Sequence, residues 1–202
     1  MSRILKIKDE EVTEVVIPDT VTSILPYAFA HIPSITSVKI PNSVTSIGKL
    51  AFFNCDGLTS VVWNAKNYAN PANKEAAPFY GIRSQITSFT FGEAVEYIPT
   101  YLCYRMDKLT SIIIPNSVTS IGGAAFGDCS AIDSIVWNAK NCADASSLKT
   151  APFYATSSQI TSFTFGENVE HIPAYLCDGM DKLTSMIIPN SVTSIGSSAF
   201  YN

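Results

Sequence analysis

The sequence predicts an α/β solenoid, in which one parallel sheet lies opposite short helical segments. The phrase Ile-Pro-Asn-Ser-Val-Thr-Ser-Ile-Gly occurs at 40–48, 114–122 and 188–196. Around it, equivalent positions recur in steps of 23, 23, 28, 23, 23, 28 and 23 residues. These positions, each of which begins one unit, are Thr13, Thr36, Thr59, Thr87, Thr110, Asp133, Thr161 and Thr184. A constant period in the twenties is typical of stacked repeats, so we expect about eight units.

The units combine into a larger repeat of two short units and one long unit. Trp63 and Trp137, for example, occupy equivalent places 74 residues apart. The sequence therefore divides into an N-terminal capping segment at 1–12 and a repeat array at 13–202. We expect Ile4, Leu5 and Ile7 of the capping segment to form an extra strand that covers the first sheet edge. The last unit stops where earlier units continue, so we expect it to be truncated and the chain to be a fragment of a longer array.

The unit that begins near Leu109 shows how each repeat is expected to fold. Its pattern Leu-x-x-Ile-x-Ile places Ile112 and Ile114 on the inward face of a short strand. Gly122 is expected to allow the bend that follows the strand. The spacing of Ala-Phe-x-x-Cys at 125–129 then predicts one or two helical turns. A single such unit cannot bury a core, whereas stacked units can.

The large aromatic and sulfur-containing side chains are assigned to the core. Trp63 and Trp137 fall on inward strand positions, so we expect core packing rather than ligand stacking, with a buried acceptor for each indole N–H. Cys55 and Cys129 occupy the same place three units apart, which is about 14 Å and too far for a disulfide. We expect all five cysteines to be free structural thiols.

Composition and charge exclude several classes of function. An apolar content of 47% with 15% charged residues can fill a core and is unlike a disordered chain. The net charge of −4 is scattered, with no basic stripe that would indicate a nucleic-acid partner. No stretch approaches 18 apolar residues, so we expect no membrane insertion by this chain. The N-terminus carries charges where a signal peptide would be apolar, so no signal peptide is expected in this chain.

The outward strand positions form the first candidate binding surface, because repeat arrays commonly bind on an extended sheet face. One outward row is mostly serine, and the neighbouring row mixes apolar and hydroxyl side chains. The candidates in that second row are Lys39, Val62, Thr90, Ile113, Val136, Thr164 and Ile187. Tyr68 and Lys74 are further candidates, because they lie in the extra residues of a long unit. Two alternatives remain: such residues suit parallel strands for structural reasons, and the extra residues can form a structural bulge.

Residues that would carry chemistry are sparse. Glu93 and Glu96 recur at the repeat period, which is unusual for an active site. His31 and His171 occupy different places in their units, and no serine has an evident base. No Cys and His spacing matches a zinc motif, and no phosphate loop is present. The sequence therefore predicts no catalytic residues, no metal site and no cofactor.

Pattern and phrase together resemble the BspA-like leucine-rich repeats, the 23-residue class of bacterial surface proteins. The resemblance covers about residues 13–202 and depends on the phrase at 109–122 and the Ala-Phe-x-x-Cys segments at 51–55 and 125–129. It implies a leucine-rich-repeat solenoid in an exported protein, at the cell surface or secreted, that binds other macromolecules. The 28-residue units depart from the family pattern, since they carry Trp-Asn-Ala-Lys-Asn in place of Pro-Asn-Ser-Val.

The interpretation that follows is a non-catalytic binding or adhesion module with a protein or glycan ligand on its surface. One alternative is a parallel β-helix that acts on glycans or binds them. The expected helical segments favour the leucine-rich repeat over that alternative, because β-helix coils consist of strands and turns alone. A second alternative is a structural spacer that displays other domains.

Overall fold

The structure, a computed structural model, describes residues 6–7 and 10–201. Its strands are short and are numbered here in chain order. They are β1 (Lys6–Ile7), β2 (Glu10–Glu11), β3 (Glu14–Val16), β4 (Ser23–Ile24), β5 (Ser37–Ile40), β6 (Ser46–Ile47), β7 (Ser60–Trp63), β8 (Ser88–Phe91), β9 (Tyr97–Ile98), β10 (Ser111–Ile114), β11 (Ser120–Ile121), β12 (Ser134–Trp137), β13 (Ser162–Phe165), β14 (His171–Ile172) and β15 (Ser194–Ile195).

The longer strands form two parallel sheets in the predicted register. One sheet has the order β3-β5-β7-β8 and the other β10-β12-β13. Each residue pairs with the equivalent residue of the next unit, as Ile40 does with Trp63 and Ile114 with Trp137. Alternate residues are buried, which gives the exposed–buried pattern of Ser111–Ile114. Parallel pairing and the inward positions of these strands are therefore confirmed.

The prediction of one continuous sheet is wrong. No strand pairing joins β8 to β10 among the described residues, and residues 184–188 of the last unit form no strand. Each break follows a unit whose two inward positions are both phenylalanine. The rings of Phe89 and Phe91 lie 5.2 Å apart, and those of Phe163 and Phe165 lie 4.9 Å apart. We attribute the breaks to these paired rings, because two bulky side chains on one short strand need more width than aliphatic ones.

A second row of short parallel pairs crosses the breaks. These pairs are β4 with β6, β9 with β11, and β14 with β15. The pair β9–β11 connects the fourth unit to the fifth, and β14–β15 connects the seventh to the eighth. The later strand of each pair comes from the Thr-Ser-Ile part of the recurrent phrase. Backbone hydrogen bonds therefore join neighbouring units even where the larger sheets are interrupted.

The predicted helical segments are turns. The described residues contain no α-helix, and their only helices are the 3₁₀ segments Lys74–Ala76, Arg83–Gln85, Leu148–Thr150 and Ser157–Gln159. The segment at 125–129 is interrupted by left-handed backbone at Ala124, with φ of 50°, and at Asp128, with φ of 56°. A left-handed residue every four positions ends a right-handed helix before it completes a turn. Helical segments therefore do not distinguish this protein from a parallel β-helix.

The backbone N–H groups of these turns bond to the next unit. The Cys103 N–H donates to the Ala125 carbonyl at 2.8 Å, and the Arg105 N–H donates to the Gly127 carbonyl at 3.0 Å. Equivalent bonds run from Cys177 to Ala199 at 2.8 Å. A helix would direct these N–H groups along its own axis, so the left-handed residues let the turns contribute a further row of hydrogen bonds between units.

The core follows the sequence prediction closely. Trp63 and Trp137 are fully buried, and all five cysteines are buried free thiols. Burial raises the pKa of Cys129 and of Cys142 to about 12, which keeps both thiols protonated. Neither indole N–H has a hydrogen-bond partner among the described residues, contrary to the expected buried acceptor. In the last unit Ile188 is also exposed, because no strand forms there.

The N-terminal segment forms a small hairpin of its own. β1 pairs antiparallel with β2, through Lys6 with Glu11 and Ile7 with Glu10. In the part of the chain that the structure describes, this pair does not extend the sheet of β3. Ile4 and Leu5 of the predicted capping strand lie outside the described residues.

Candidate functional site

The candidate residues on the outward strand face form two aligned groups, one on each sheet. We call this set the sheet strip; it consists of Val16, Lys39, Val62, Thr90, Ile113, Val136 and Thr164. Strand pairing aligns Val16, Lys39, Val62 and Thr90 on the first sheet and Ile113, Val136 and Thr164 on the second. The structure thus brings these candidates into rows. Ile187 continues the order along the chain but lies in a segment without strand structure, where it is 86% exposed.

The sheet strip combines exposed apolar side chains with hydroxyls and almost no charge. Val16 is 60% exposed and Ile113 is 58% exposed, and both stand on regular strands. The neighbouring outward row aligns Ser37 with Ser60 and Ser111 with Ser134. Apolar side chains on a strand lose little rotamer freedom on binding, and they can be covered without desolvating a charge.

The break between the two sheets opens a notch in the strip. A cavity of about 270 Å³ lies there between Thr90 of β8 and Ile113 of β10. Phe91 and Asn138 are also in its wall, and Glu93 stands at its end. The strip therefore has a concave point at its middle.

Tyr68 is not a surface contact, contrary to the prediction. Its side chain is only 6% exposed, and its ring packs edge-on against Trp63 with the centroids 5.0 Å apart. Burial raises the pKa of Tyr68 to about 12. The extra residues of this long unit use Tyr68 to anchor themselves to the core. A tyrosine has an apolar ring and a polar hydroxyl, so it suits either a buried or an exposed place. The sequence of the insertion therefore does not distinguish Tyr68 as an anchor from Tyr68 as an exposed contact.

Other polar residues of the same insertion hold the backbone in place. The Asn70 Oδ1 accepts hydrogen bonds from the Tyr97 hydroxyl at 2.6 Å and from the Thr100 N–H at 3.0 Å. Asn73 accepts from the Ala76 N–H and caps a 3₁₀ helix. Lys74, by contrast, is exposed as predicted.

One histidine does contact a serine, which the sequence did not reveal. The His171 Nδ1 lies 2.7 Å from the Ser194 Oγ, and its Nε2 lies 2.8 Å from the Asp144 Oδ1. Asp144 also accepts the Ala174 N–H at 2.7 Å. That bond, followed by the one from His171, lowers the pKa of Asp144 below its ordinary value. The expectation that no serine has a nearby base is therefore wrong.

This Asp–His–Ser group has the connectivity of a catalytic triad, and the bonds of its aspartate recur in the first copy of the repeat. Asn70 and Tyr97 occupy the equivalent places in the first copy of the 74-residue repeat and make the same bonds. The backbone N–H groups of Ser194 and Gly196 already donate to Glu170 and Ile172, so they cannot stabilise an oxyanion. In both copies an Asn or Asp of the long unit thus adds side-chain bonds to the backbone bonds that join it to the next unit.

The recurrent carboxylates also have structural partners. Glu96 pairs with Lys66 at 2.6 Å, and the equivalent Glu170 pairs with Lys140 at 3.0 Å. Within the described residues, no three His, Cys, Asp or Glu side chains lie close enough together to hold a metal ion. No helix of the described chain is both long and apolar enough to span a bilayer.

Known structures include several repeat proteins similar to this chain. A leucine-rich repeat protein of T. pallidum is 21% identical, with 91% of this chain and 73% of that chain covered and a TM-score of 0.45. A leucine-rich repeat protein from Bacteroides ovatus is 20% identical over 91% of this chain and 57% of that one, with a TM-score of 0.46. A leucine rich cell surface protein from Faecalibacterium prausnitzii is 17% identical over 96% and 71%, with a TM-score of 0.35.

No curated protein is significantly similar to the chain. The BspA type leucine rich repeat region family matches residues 7–132 and 75–202, in 6 copies. These ranges include both sheets, the turns between them and both long units. The leucine-rich-repeat fold of this protein thus agrees with the parallel strands and with the recurrent phrase. The chain belongs to the BspA type leucine-rich repeat family.

Proposed function

We propose that this protein is a non-catalytic binding module that holds a partner protein against its sheet strip. The observation that carries the proposal is the exposure of Ile113, at 58%, on a regular strand beside the notch. An apolar side chain on an ordered, uncharged face is the type of contact that protein interfaces bury at their centre. Family membership suggests a binding or adhesion-type module, and the strip gives that module a surface.

The composition of the strip favours a protein over a neutral glycan as its partner. Sugar-binding faces rely on exposed aromatic rings and planar polar groups, whereas the strip offers Ile113, Val16 and hydroxyls. With strands about 4.8 Å apart, seven of them extend over roughly 30 Å, which is a suitable length for a protein interface. Lys39 is the single charge in the strip, so a partner needs little electrostatic complementarity there.

The proposal also includes the finer architecture. We infer a solenoid of about eight units, because strand pairing connects equivalent residues of successive units and the turn bonds connect the same units. We also infer a location at the bacterial cell surface or in the medium, as the BspA-like resemblance implies. Protease treatment of intact cells of the source bacterium tests this location, since a surface protein is cleaved while a cytoplasmic marker is not.

Binding of the wild-type protein to a panel of purified extracellular matrix and cell-surface proteins tests the function. Ile113→Ser should weaken the binding of any protein that the wild type captures by at least tenfold. Thermal stability should stay the same, because the Ile113 side chain contributes little to the core. Lys149→Ala, an exposed change away from the strip, is the control and should leave binding unchanged.

Three outcomes would overturn the proposal in different ways. Retention of binding by Ile113→Ser, with loss in Lys74→Ala, whose side chain is exposed on the insertion, would place the partner on the insertion instead. No binding to any protein of the panel would favour the structural spacer. Release of reducing ends from a polysaccharide panel would favour the glycan-active alternative.

A further inference from the structure

A second surface, on the turn side of the molecule, brings two arginines and two aspartates together in a way that the repeat does not require. An open cleft of about 670 Å³ lies across the third to sixth units, and no strand residue lines it. Both arginines among the described side chains, Arg83 and Arg105, are in its wall. In a chain with a net charge of −4, this convergence is unusual.

Two cations lie near the ring of Tyr104. The Lys74 Nζ and the Arg105 Cζ each lie 5.6 Å from the ring centroid. A hydrogen bond to Asp128 raises the pKa of the Tyr104 hydroxyl, and the charges of Arg105 and Arg83 oppose that rise.

Arg83 is held in a defined orientation. Its guanidinium lies over the Tyr80 ring, with the Cζ 4.0 Å from the centroid, and donates to the Tyr80 carbonyl. A guanidinium has five N–H donors, so several remain for a ligand. Within the described residues, neither Arg83 nor Lys74 has a carboxylate within ion-pair distance.

The lining of the cleft also carries acceptors. Asp128 accepts from the Tyr104 hydroxyl at 2.7 Å and pairs with Arg105 at 3.3 Å. Asp107 accepts from Ser130 at 3.2 Å and remains exposed. A ligand in this cleft meets the guanidinium of Arg83, which has no carboxylate partner among the described residues, and the exposed carboxylate of Asp107. An anionic group suits Arg83, and hydroxyl donors suit Asp107.

The second copy of the 74-residue repeat provides a comparison within the chain. The residues equivalent to Lys74, Arg83 and Arg105 are Leu148, Ser157 and Gly179. The same 3₁₀ segments form in both copies, at Arg83–Gln85 and at Ser157–Gln159. The backbone thus adopts its path without these cations, so the fold does not account for their presence in the first copy.

We propose that this cleft binds an acidic saccharide, a sugar chain that carries carboxylate groups. Arg83 binds a carboxylate, and Asp107 accepts hydrogen bonds from sugar hydroxyls. Lys74 does not line the cleft, but its charge lies beside Tyr104, the neighbour of Arg105, and adds to the attraction of an anion. A densely anionic peptide is disfavoured, because Asp107 and Asp128 would repel its additional charges. The cleft volume is within the usual range of ligand sites.

Isothermal titration of the full chain with trigalacturonate tests the proposal. The variant Lys74→Leu/Arg83→Ser introduces the residues that the second copy already tolerates, so we expect it to fold. Its affinity for trigalacturonate should fall by tenfold or more. The control Lys149→Ala/Lys182→Ala removes the same net charge from exposed positions and should bind as the wild type does.

Further ligands distinguish the chemistry of the site. Galactotriose, the neutral counterpart, should not bind, and neither inorganic sulfate nor a tetraglutamate peptide should match trigalacturonate. The proposal is overturned if wild-type protein does not bind trigalacturonate, if tetraglutamate binds equally well, or if the control variant loses as much affinity as the cleft variant. Ile113→Ser should retain trigalacturonate binding, so failure of the sheet-strip proposal and failure of this one are separate results.

Discussion

Two adjacent glycines are expected to respond to alanine in opposite directions. Gly122 ends the recurrent phrase, and its N–H donates to the Ile98 carbonyl at 2.7 Å. A Cβ at this position would lie 2.3 Å from the Thr100 backbone nitrogen, a separation that real Cβ atoms essentially never show. At Gly123 the nearest atom to such a Cβ is the Thr150 Cα at 3.5 Å, an ordinary contact. Neither glycine has a positive φ.

The expected change in the free energy of unfolding follows from the clash at the new Cβ and from the weakened hydrogen bond to Ile98. Overpacking against backbone costs about 1–3 kcal/mol, and weakening the bond to Ile98 costs about 1 kcal/mol. Reduced freedom of the unfolded chain offsets about 0.4–1 kcal/mol. Gly122→Ala should therefore lower the free energy of unfolding by about 1–3 kcal/mol. Gly123→Ala should leave it unchanged or raise it by up to about 1 kcal/mol.

Urea unfolding, followed by the fluorescence of the buried Trp63 and Trp137, measures both changes. The urea midpoint of Gly122→Ala should fall, and that of Gly123→Ala should not. Equal midpoints for the two variants would refute the close-approach argument. A Cβ would clash in the same way at two other glycines. At Gly48 it would lie 2.3 Å from the Pro26 nitrogen, and at Gly196 it would lie 2.3 Å from the Ala174 nitrogen. Alanine at either position should therefore also destabilise the protein.

Three further predictions concern the core and the bonds between units. Ile114→Ala should lower the free energy of unfolding by about 2–5 kcal/mol in urea, because Ile114 is fully buried; an unchanged value would contradict the strand register. Thr156→Val should cost about 1–3 kcal/mol in the same assay, because the buried Cys129 N–H loses the Thr156 Oγ1 as its acceptor at 3.0 Å; an unchanged value would show that another acceptor replaces it. Asp144→Asn keeps an acceptor for Ala174 but removes the charge. Because the pKa of Asp144 is lowered from 3.8, its carboxylate stabilises the fold above about pH 3.8 and loses this effect as the pH falls through the lowered pKa. The wild type should thus exceed this variant in stability at pH 6 but not near pH 2, and a constant difference would contradict the role of the charge.

The strand positions could be predicted because they depend on neighbours in the sequence. Alternation of side chains across a strand has a period of two, so the pattern around Ile112 and Ile114 determines which residues face inward. Packing of Trp63 and Trp137 follows from the same alternation, and both are buried. The turns at 125–129 were misjudged, because the apolar spacing of a helical turn and that of a left-handed turn are the same.

The candidate surfaces can be predicted only in part from the sequence. The rows of Ile113 and Val136 follow from strand register, and the structure aligns them. Tyr68 was assigned to the surface, but it packs on Trp63, because the path of an insertion depends on the core that it meets. No pattern in the sequence indicates the cleft of Arg83 and Arg105. The two residues are 22 positions apart in different units, and only the stacking of those units brings them into one cleft.

The sequence alone determined the repeat, the family, the parallel register and the buried set, since these depend on periodic patterns and on short-range alternation. Only the tertiary structure decided where the sheet is interrupted, how the turns run and which side chains meet across units. Phe89 and Phe91 fit the inward pattern individually, but together they separate one strand from the next. Gly122 similarly matches a bend in the sequence, while its actual role is to allow the backbone of the preceding unit to approach closely. The sheet breaks, the turn paths and the contacts between units depend on distances between units, and the sequence of a single unit does not contain those distances.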